Sequence, residues 1–471
     1  MTGLLLAGCQ QSAQTDATGV ESGKPFGTPQ AMHRELNIFI PASTDLTRTL
    51  RVGAVYSERH IQIRYEFETD HPSWYHDYLV YRDGAWHTLG SEPVGPEPDG
   101  LYEDRISMAL ADGRVEGFAR YGGYLTMHPG VVSRTDEVTD EEITKFLLMT
   151  RQPGPEEDRW ANPLDDAMID RLRDEGRFLQ TWQWRAHRSN PIGHGDPGYV
   201  LEARNSADGR GMYETNFDSE RNQPRFMFDP ALTGGRYALR EDALLSKAYT
   251  QDDPYYIVEE TALPFDPEHD WQDGDVLPRR YLRTPSGSRA ALRAEGRWTD
   301  GVWRVRVTRT LAAPNSRDSK QLRFGERYTV AFSVHTGATH GRWHYVSMPM
   351  TLGLGVPAAV KADFTAGAVD AAEVAWTNVP LFQPGQYTSW LTDTSHPAVQ
   401  WYESALRNPL DHSTIQNLAD AIAVHELAML ESLLPAQPEE EATEPDSAPE
   451  PAPEPTGDDD EGDQPEPDVR F

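Results

Sequence analysis

The single cysteine of the chain, Cys9, is the residue whose type and surroundings indicate the most definite chemistry. It follows Leu6, Ala7 and Gly8, and this Leu-Ala-Gly-Cys run has the form of a lipobox. In such a segment small residues precede a cysteine whose thiol is diacylated, and two or three acyl chains hold a protein durably on a membrane. The sequence therefore predicts a lipid anchor at Cys9 and an extracytoplasmic location. Gln10 stands after the cysteine, where there is no Asp, and this favours the outer membrane if the host has two membranes.

Motifs for catalysis are absent from the sequence. His425 and Glu426 lack the second histidine of a zinc-protease helix, and no glycine-rich phosphate loop or nucleophile elbow occurs. A chain with one cysteine also has no disulfide framework and no thiolate metal cluster. We therefore predict no catalytic residue, and we interpret the chain as a binding or electron-transfer protein and not as an enzyme.

The chain is strongly acidic, with a formal net charge of -32 over 471 residues. A phosphate backbone would be repelled by such a surface, so nucleic acid is excluded as a partner. The charge suits solubility, and it can also steer a basic partner such as a small cytochrome. No run of 18 apolar residues that could span a bilayer as a helix occurs.

Strand patterns dominate the middle of the chain. Apolar and polar residues alternate over His60–Glu68 and Trp303–Val307, and Tyr328–Val334 and Tyr345–Leu354 have similar patterns. Asp-Gly pairs, which favour hairpin turns, separate such segments. The sequence predicts a mainly β fold, an antiparallel β-sandwich with short helical insertions.

Four regions are predicted along the chain. Residues 1–30 are interpreted as the remnant of a lipoprotein signal and a polar linker, and residues 31–400 as the sandwich, with a short helix at Asp140–Arg151. Residues 401–435 are predicted to form a C-terminal helix, about Ser413–Leu434, that packs on the sandwich. Residues 436–471 contain 14 acidic residues and are predicted to be disordered.

Five segments resemble, in order, the haem-binding domain of the ethylbenzene-dehydrogenase γ-subunit family. They are Asp77–Trp86, Tyr102–Met108, Trp182–Pro191, Gly296–Val305 and Gly341–Ser347. The resemblance spans about residues 50–355. It implies a sandwich related to certain carbohydrate-binding modules, and it implies one haem b held by a methionine from the first half of the domain and a lysine near its end.

The resemblance also implies which residues would bind the haem iron. His344 stands where the family lysine would fall, and a neutral imidazole is an ordinary haem ligand. The other ligand is expected between the second and third segments, where His128 is preferred, Met127 is its main rival and His187 is a third candidate. Some relatives carry cysteines near Gly123 and Met127, and because this chain has neither, its haem would be non-covalent.

Haem propionates need cationic partners, and guanidinium groups suit carboxylates because they form bidentate bonds. Arg342, Arg185 and Arg188 are the candidates that the resembling segments offer. His335 and His340 are interpreted as loop residues beside the site.

Three functions follow as hypotheses. The first is a haem b electron carrier of an extracytoplasmic redox chain, with a redox protein as its partner. The second is a carbohydrate-binding or surface-sensing lipoprotein of the same fold without haem, in which some of the 12 tryptophans would stack on sugars. The third is an electron-transfer subunit of a molybdenum oxidoreductase, with the catalytic subunit as its partner.

Overall fold

The structure is a computed structural model, and it describes residues 47–90, 95–97, 99–115, 117–123, 146–151, 163–339 and 344–382. The strands in this part of the chain are β1 (Thr47–Tyr56), β2 (His60–Glu68), β3 (Tyr78–Arg82), β4 (Ala85–Leu89), β5 (Gly95–Pro96), β6 (Arg105–Ala111), β7 (Leu179–Arg185), β8 (Asp196–Val200), β9 (Arg204–Ser206), β10 (Tyr213–Thr215), β11 (Phe217–Asp218), β12 (Gln223–Pro224), β13 (Phe226–Met227), β14 (Leu239–Arg240), β15 (Ile257–Val258), β16 (Leu263–Pro264), β17 (Asp275–Pro278), β18 (Arg280–Leu282), β19 (Arg293–Thr299), β20 (Val302–Thr310), β21 (Arg327–His335), β22 (Ala338–Thr339), β23 (Tyr345–Ser347), β24 (Met350–Leu354), β25 (Val360–Phe364) and β26 (Trp376–Phe382). The helices there are α1 (Phe118–Tyr121), α2 (Asp166–Asp174) and α3 (Glu241–Leu245). Single 3-10 turns occur at Leu148–Thr150, Asn190–Ile192, Gly287–Ala290 and Val369–Ala371.

Strand β2 shows why these segments are extended. Ile61, Ile63, Tyr65 and Phe67 alternate with polar residues, and all four are at most 3% exposed. An extended chain turns successive side chains to opposite faces, so this alternation buries one face. The strand has the predicted bounds, and it lies between β1 and β20.

Asp-Gly turns close two of the hairpins. Asp83 and Gly84 join β3 to β4, and Asp300 and Gly301 join β19 to β20, with positive φ at all four residues. Two successive residues with positive φ form the type I′ turn, whose twist matches that of paired strands. The predicted turns are therefore confirmed at these two hairpins.

Thirteen of the described strands form one sheet that folds over itself into a sandwich. Its order is β19-β20-β2-β1-β25-β24-β21-β6-β7-β8-β9, and β23 and β26 connect β21 to β1. Most pairs are antiparallel, whereas β25 pairs in parallel with β1 and β24. The mainly β prediction is confirmed.

The main core lies between the two halves of this sheet. The rings of Trp184 on β7 and Trp303 on β20 meet edge to face at 4.9 Å between centroids, and Tyr65 on β2 meets Phe332 on β21 at 6.0 Å. Both tryptophans are at most 1% exposed. Buried aromatic side chains of this size contribute strongly to stability, and truncating one to alanine typically costs about 3–5 kcal/mol.

A second hydrophobic core lies beside the sandwich and was not predicted. It forms under the four-stranded sheet β14-β17-β3-β4 and includes Tyr75, Tyr78 and Tyr255. Trp74 packs against both cores. Between β9 and β18 the strands are only two to four residues long, and most of them pair with strands that are distant in sequence, which is why no periodicity indicated this core.

Two element predictions need correction. The predicted strand Tyr345–Leu354 is two strands, β23 and β24, separated by Met348 and Pro349. Proline has no N–H to donate, so it interrupts the ladder. Of the predicted helix Asp140–Arg151, residues 140–145 lie outside the described residues, and Leu148–Thr150 is a 3-10 turn. The signal remnant, the C-terminal helix and the acidic tail also lie outside the described residues.

Candidate functional site

A row of four polar side chains crosses one face of the sandwich. His335 at the end of β21 lies opposite Arg105 at the start of β6, and Arg105 lies opposite Arg185 at the end of β7. Directly paired residues on antiparallel strands point to the same face. Because β23 pairs antiparallel with β21, His344, which directly precedes β23, continues the row. The ring centroids of His335 and His344 are 5.5 Å apart.

Next to this row the same face of the sheet carries short side chains. Ser107 lies opposite Ser333, and Ala109 lies opposite both Ala331 and Thr181. These five residues are called the small-residue face below. All except Ala331 are partly exposed, whereas alternate residues of the same strands fill the main core. Short side chains leave room for a flat group to lie close to the backbone.

The segment that contains two predicted iron ligands starts beside this face. A Cβ at Gly123 would lie 3.5 Å from Cγ1 of Val346, and Val346 lies opposite Ser333 on the adjacent strand. The chain therefore passes β23 four residues before Met127. Met127 and His128 themselves lie outside the described residues.

A series of ring contacts leads from His344 into the interior. His335 contacts Tyr102 at 5.2 Å between centroids, Tyr102 contacts His76 at 4.7 Å, and His76 is 6.3 Å from His187. His187, the third candidate ligand, is thus at the other end of the series from His344. The structure does not bring these two histidines into contact.

His187 has the contacts of a packed interior side chain. It is 0% exposed, and its ring is 5.8 Å from that of Tyr78 and 5.7 Å from that of Tyr255. Its Nδ1 lies 3.0 Å from the carbonyl oxygen of Trp74, a geometry that assigns the proton to Nδ1. Burial lowers the pKa of His187 to about 4, so the ring is neutral at pH 7.

Arg185, a predicted propionate partner, already has acceptors within the protein. Its Nε and Nη2 donate to Oε1 of Gln183 at 2.8 and 2.5 Å, and Nη1 donates to the hydroxyl of Tyr213 at 2.5 Å. Nη1 also lies 3.1 Å from Oδ2 of Asp196. Burial raises the pKa of Tyr213, but Arg185 and Arg188 outweigh burial and lower it overall.

Arg188, a second predicted partner, is paired with the fully buried carboxylate of Glu103. Oε1 of Glu103 accepts from Nε of Arg188 at 2.5 Å, and Oε2 accepts from the backbone N–H groups of His187 and Arg188 at 2.7 and 2.8 Å. Burial favours the neutral acid, but Arg188, Arg185 and Arg105 outweigh it and lower the pKa of Glu103. The third predicted partner, Arg342, lies outside the described residues.

Two residues of the row were not identified as site residues from the sequence. His335 was predicted to lie in a loop, but it is the last residue of β21, it is 1% exposed and it pairs with Arg105. Arg105 is 6% exposed although it has a charged side chain. The alternation of Arg105 and Ser107 with Ile106 and Met108 was a signal for a second, more polar buried face.

Two further features concern the described residues only. No group of three or more His, Cys, Asp or Glu side chains is arranged there to hold a metal ion. None of the helices in these ranges has the length and apolar composition needed to cross a membrane.

Comparison with known proteins adds one match. No curated protein matches the chain. The model of the ethylbenzene dehydrogenase family matches residues 14–347, about seven tenths of the chain, and includes the row, the small-residue face and all five resembling segments. The chain belongs to the ethylbenzene dehydrogenase family.

Proposed function

We propose that this chain is a haem b-binding electron-transfer lipoprotein, anchored through Cys9 outside the cytoplasm. One observation carries the proposal. His344, which stands where the resembling γ-subunits have their lysine ligand, lies beside His335 at the edge of the small-residue face. An imidazole at the edge of a surface of short side chains is suited to bind the iron of a flat prosthetic group.

The residues present fit such a group in three respects. His344 is partly exposed and would supply an imidazole nitrogen to the iron. The small-residue face offers a surface on which a planar ring can pack. Arg105 supplies a guanidinium in the same row. The second ligand would be His128 or Met127, which lie outside the described residues.

An iron with two side-chain ligands exchanges one electron without binding a substrate, which is the chemistry that a bound haem supplies. The role of this chain is then to hold and enclose the group. His344 would hold it at the sheet edge, and β6, β7 and β21 would present the small-residue face to it. No catalytic role is proposed for the chain itself.

The partner follows from the family. Because the chain belongs to the ethylbenzene dehydrogenase family, we propose that it works with the catalytic subunit of a molybdenum oxidoreductase or with another redox protein. The net charge of -32 favours a partner with a basic surface. Co-purification of a catalytic subunit from the native host would distinguish a dedicated subunit from a free carrier.

The absorption spectrum after reconstitution with haem tests the proposal. We expect wild type to give a low-spin Soret band, His344→Ala to lose it, and His335→Ala, the adjacent imidazole, to keep it. Loss of the low-spin spectrum in His128→Ala would identify a bis-histidine iron, and loss in Met127→Leu would identify a His/Met iron. Wild-type protein without a Soret band would contradict the proposal.

The carbohydrate-binding alternative gains no specific support. Sugar stacking needs exposed rings, and of the tryptophans in the described ranges Trp74, Trp298 and Trp376 are partly exposed and the others are buried. Trp182, Trp184 and Trp303 fill the main core. Glycan binding by the protein without haem would favour this alternative.

A further inference from the structure

Arg105 has a buried guanidinium, and two of its three nitrogens lack a hydrogen-bond acceptor among the described residues. Its side chain is 6% exposed, and neither Nε nor Nη2 has a partner among the described residues. The contact that it makes is with the ring of Tyr102, 4.9 Å from the guanidinium carbon. A buried cation without acceptors is costly, so such a group in a native protein calls for an explanation.

The charges around Arg105 do not supply the missing acceptor. Glu103 already accepts hydrogen bonds from Arg188 and from two backbone N–H groups, and no hydrogen bond joins it to Arg105 among the described residues. Asp196 lies 3.1 Å from Nη1 of Arg185 and 3.0 Å from Nη2 of Arg289. Among the described residues, Glu103 thus pairs with Arg188, and Asp196 pairs with Arg185 and Arg289, whereas Arg105 pairs with neither carboxylate.

The two free donors of Arg105 match one chemical class. Nε and Nη2 lie on the same edge of the guanidinium plane, and together they form the parallel pair of bonds that a carboxylate accepts. Arg105 points to the face that carries His335, and the next pair on that face is Ser107 with Ser333. A ligand on the small-residue face would therefore reach Arg105 with an acidic group at its edge.

We propose that Arg105 binds the carboxylate of a ligand that lies on the small-residue face. The inference deepens the proposed function, on which it rests when the carboxylate is a propionate of the haem. The same chemistry would also accept a free small carboxylic acid. Arg105 is a binding residue in either case, and it replaces Arg185 and Arg188 as the propionate partner.

Haem titration tests the propionate. Wild type, Arg105→Met and the control Arg304→Met, which removes an exposed guanidinium on β20, are each titrated with haem b and with its dimethyl ester. We expect wild type and control to prefer haem by about tenfold or more, the worth of a charge-assisted bonding pair. We expect Arg105→Met to bind both within about twofold. A tenfold preference that survives in Arg105→Met would overturn the proposal.

A second experiment tests the binding of a free carboxylate. If wild type binds neither haem nor its ester, the proposed function fails, and benzoate or succinate is added at constant ionic strength with chloride as the reference. A rise in melting temperature in wild type but not in Arg105→Met would support the carboxylate site, and no rise in either would overturn it. Circular dichroism establishes that Arg105→Met is folded, and Arg105→Lys, which keeps the charge without the paired donors, is the second variant for both arms.

Discussion

Arg105 and His335 lie directly opposite each other in the antiparallel pair of β6 and β21, with both side chains on the face turned away from the main core. Both are almost fully buried, at 6% and 1% exposure. The sheet register thus places a cation and an imidazole side by side at one end of the small-residue face. Burying a charged group such as the Arg105 guanidinium costs free energy unless the group is hydrogen-bonded or paired.

Arg105→Met is expected to stabilise the protein without haem. The change removes a buried charge that has no acceptor among the described residues and keeps an unbranched apolar side chain of similar length. Replacing buried ionic groups by apolar ones often stabilises by about 1–4 kcal/mol. Urea unfolding of the apoprotein measures the change. Destabilisation by Arg105→Met would indicate that the guanidinium has a structural role.

Glu103→Gln is expected to destabilise the fold by about 3–5 kcal/mol, because it leaves the buried Arg188 without its charged partner. The control is Glu295→Gln, which breaks the exposed pair between Glu295 and Arg306 and should cost less than about 1 kcal/mol. Urea unfolding at pH 7 compares the two. An equal loss of unfolding free energy in the two variants would contradict a stabilising role for the buried pair of Glu103 and Arg188.

The same carboxylate predicts a loss of stability in acid. The pKa of Glu103 is lower in the folded protein than its ordinary value of 4.5. The folded state therefore binds the proton of the Glu103 carboxyl less tightly than the unfolded state does. The stability that the ionised carboxylate contributes is present above pH 4.5 and is lost as the pH falls through the folded pKa. Glu103→Gln should unfold with a weaker dependence on pH below 4.5.

Asp104 is expected to affect stability in the opposite direction, at higher pH. Burial raises its pKa from 3.8 to about 7, although its carboxylate accepts from the N–H of Ser73 and from Nε1 of Trp303. The folded state binds the proton of the Asp104 carboxyl more tightly than the unfolded state does. The stability that the protonated carboxyl contributes is fully present below pH 3.8 and is lost as the pH rises to about 7. Asp104→Asn should therefore gain stability over wild type between pH 4 and 7 by a few kcal/mol, at about 1.4 kcal/mol for each pKa unit.

Unfolding of both proteins in urea across this pH range measures the difference. Asp300→Asn, in an exposed turn, is the control for the loss of a carboxylate. A constant difference between Asp104→Asn and wild type from pH 4 to 7 would contradict the raised pKa.

Gly296→Ala is expected to destabilise the main core. A Cβ at this position would lie 2.4 Å from Cζ2 of Trp184, so either the ring or strand β19 must move. Overpacking of this kind costs about 1–3 kcal/mol. Gly367→Ala is the matched control, because its nearest contact would be 3.7 Å from Oγ1 of Thr365. Thermal unfolding compares the two variants, and equal melting temperatures would show that Trp184 can give way.

The sequence by itself predicted the features that depend on local pattern. The alternation in β2 and the Asp-Gly turns are set by side chains and backbone angles within a few residues, and both are confirmed. The resembling segments indicated the ethylbenzene dehydrogenase family, which the match over residues 14–347 confirms, and the assignment to its haem-binding γ-subunits stays a prediction. The lipid anchor and the haem ligands remain predictions.

Only the tertiary structure decided which polar residues share the site. Arg105 and His335 are 230 positions apart, and their pairing depends on the register of β6 with β21, which no local pattern specifies. The sequence favoured Arg185 and Arg188 as partners for an anion because they lie in a resembling segment. The fold instead gives these two arginines acceptors of their own and leaves Arg105 without one among the described residues, because hydrogen bonding is settled by neighbours that are distant in sequence.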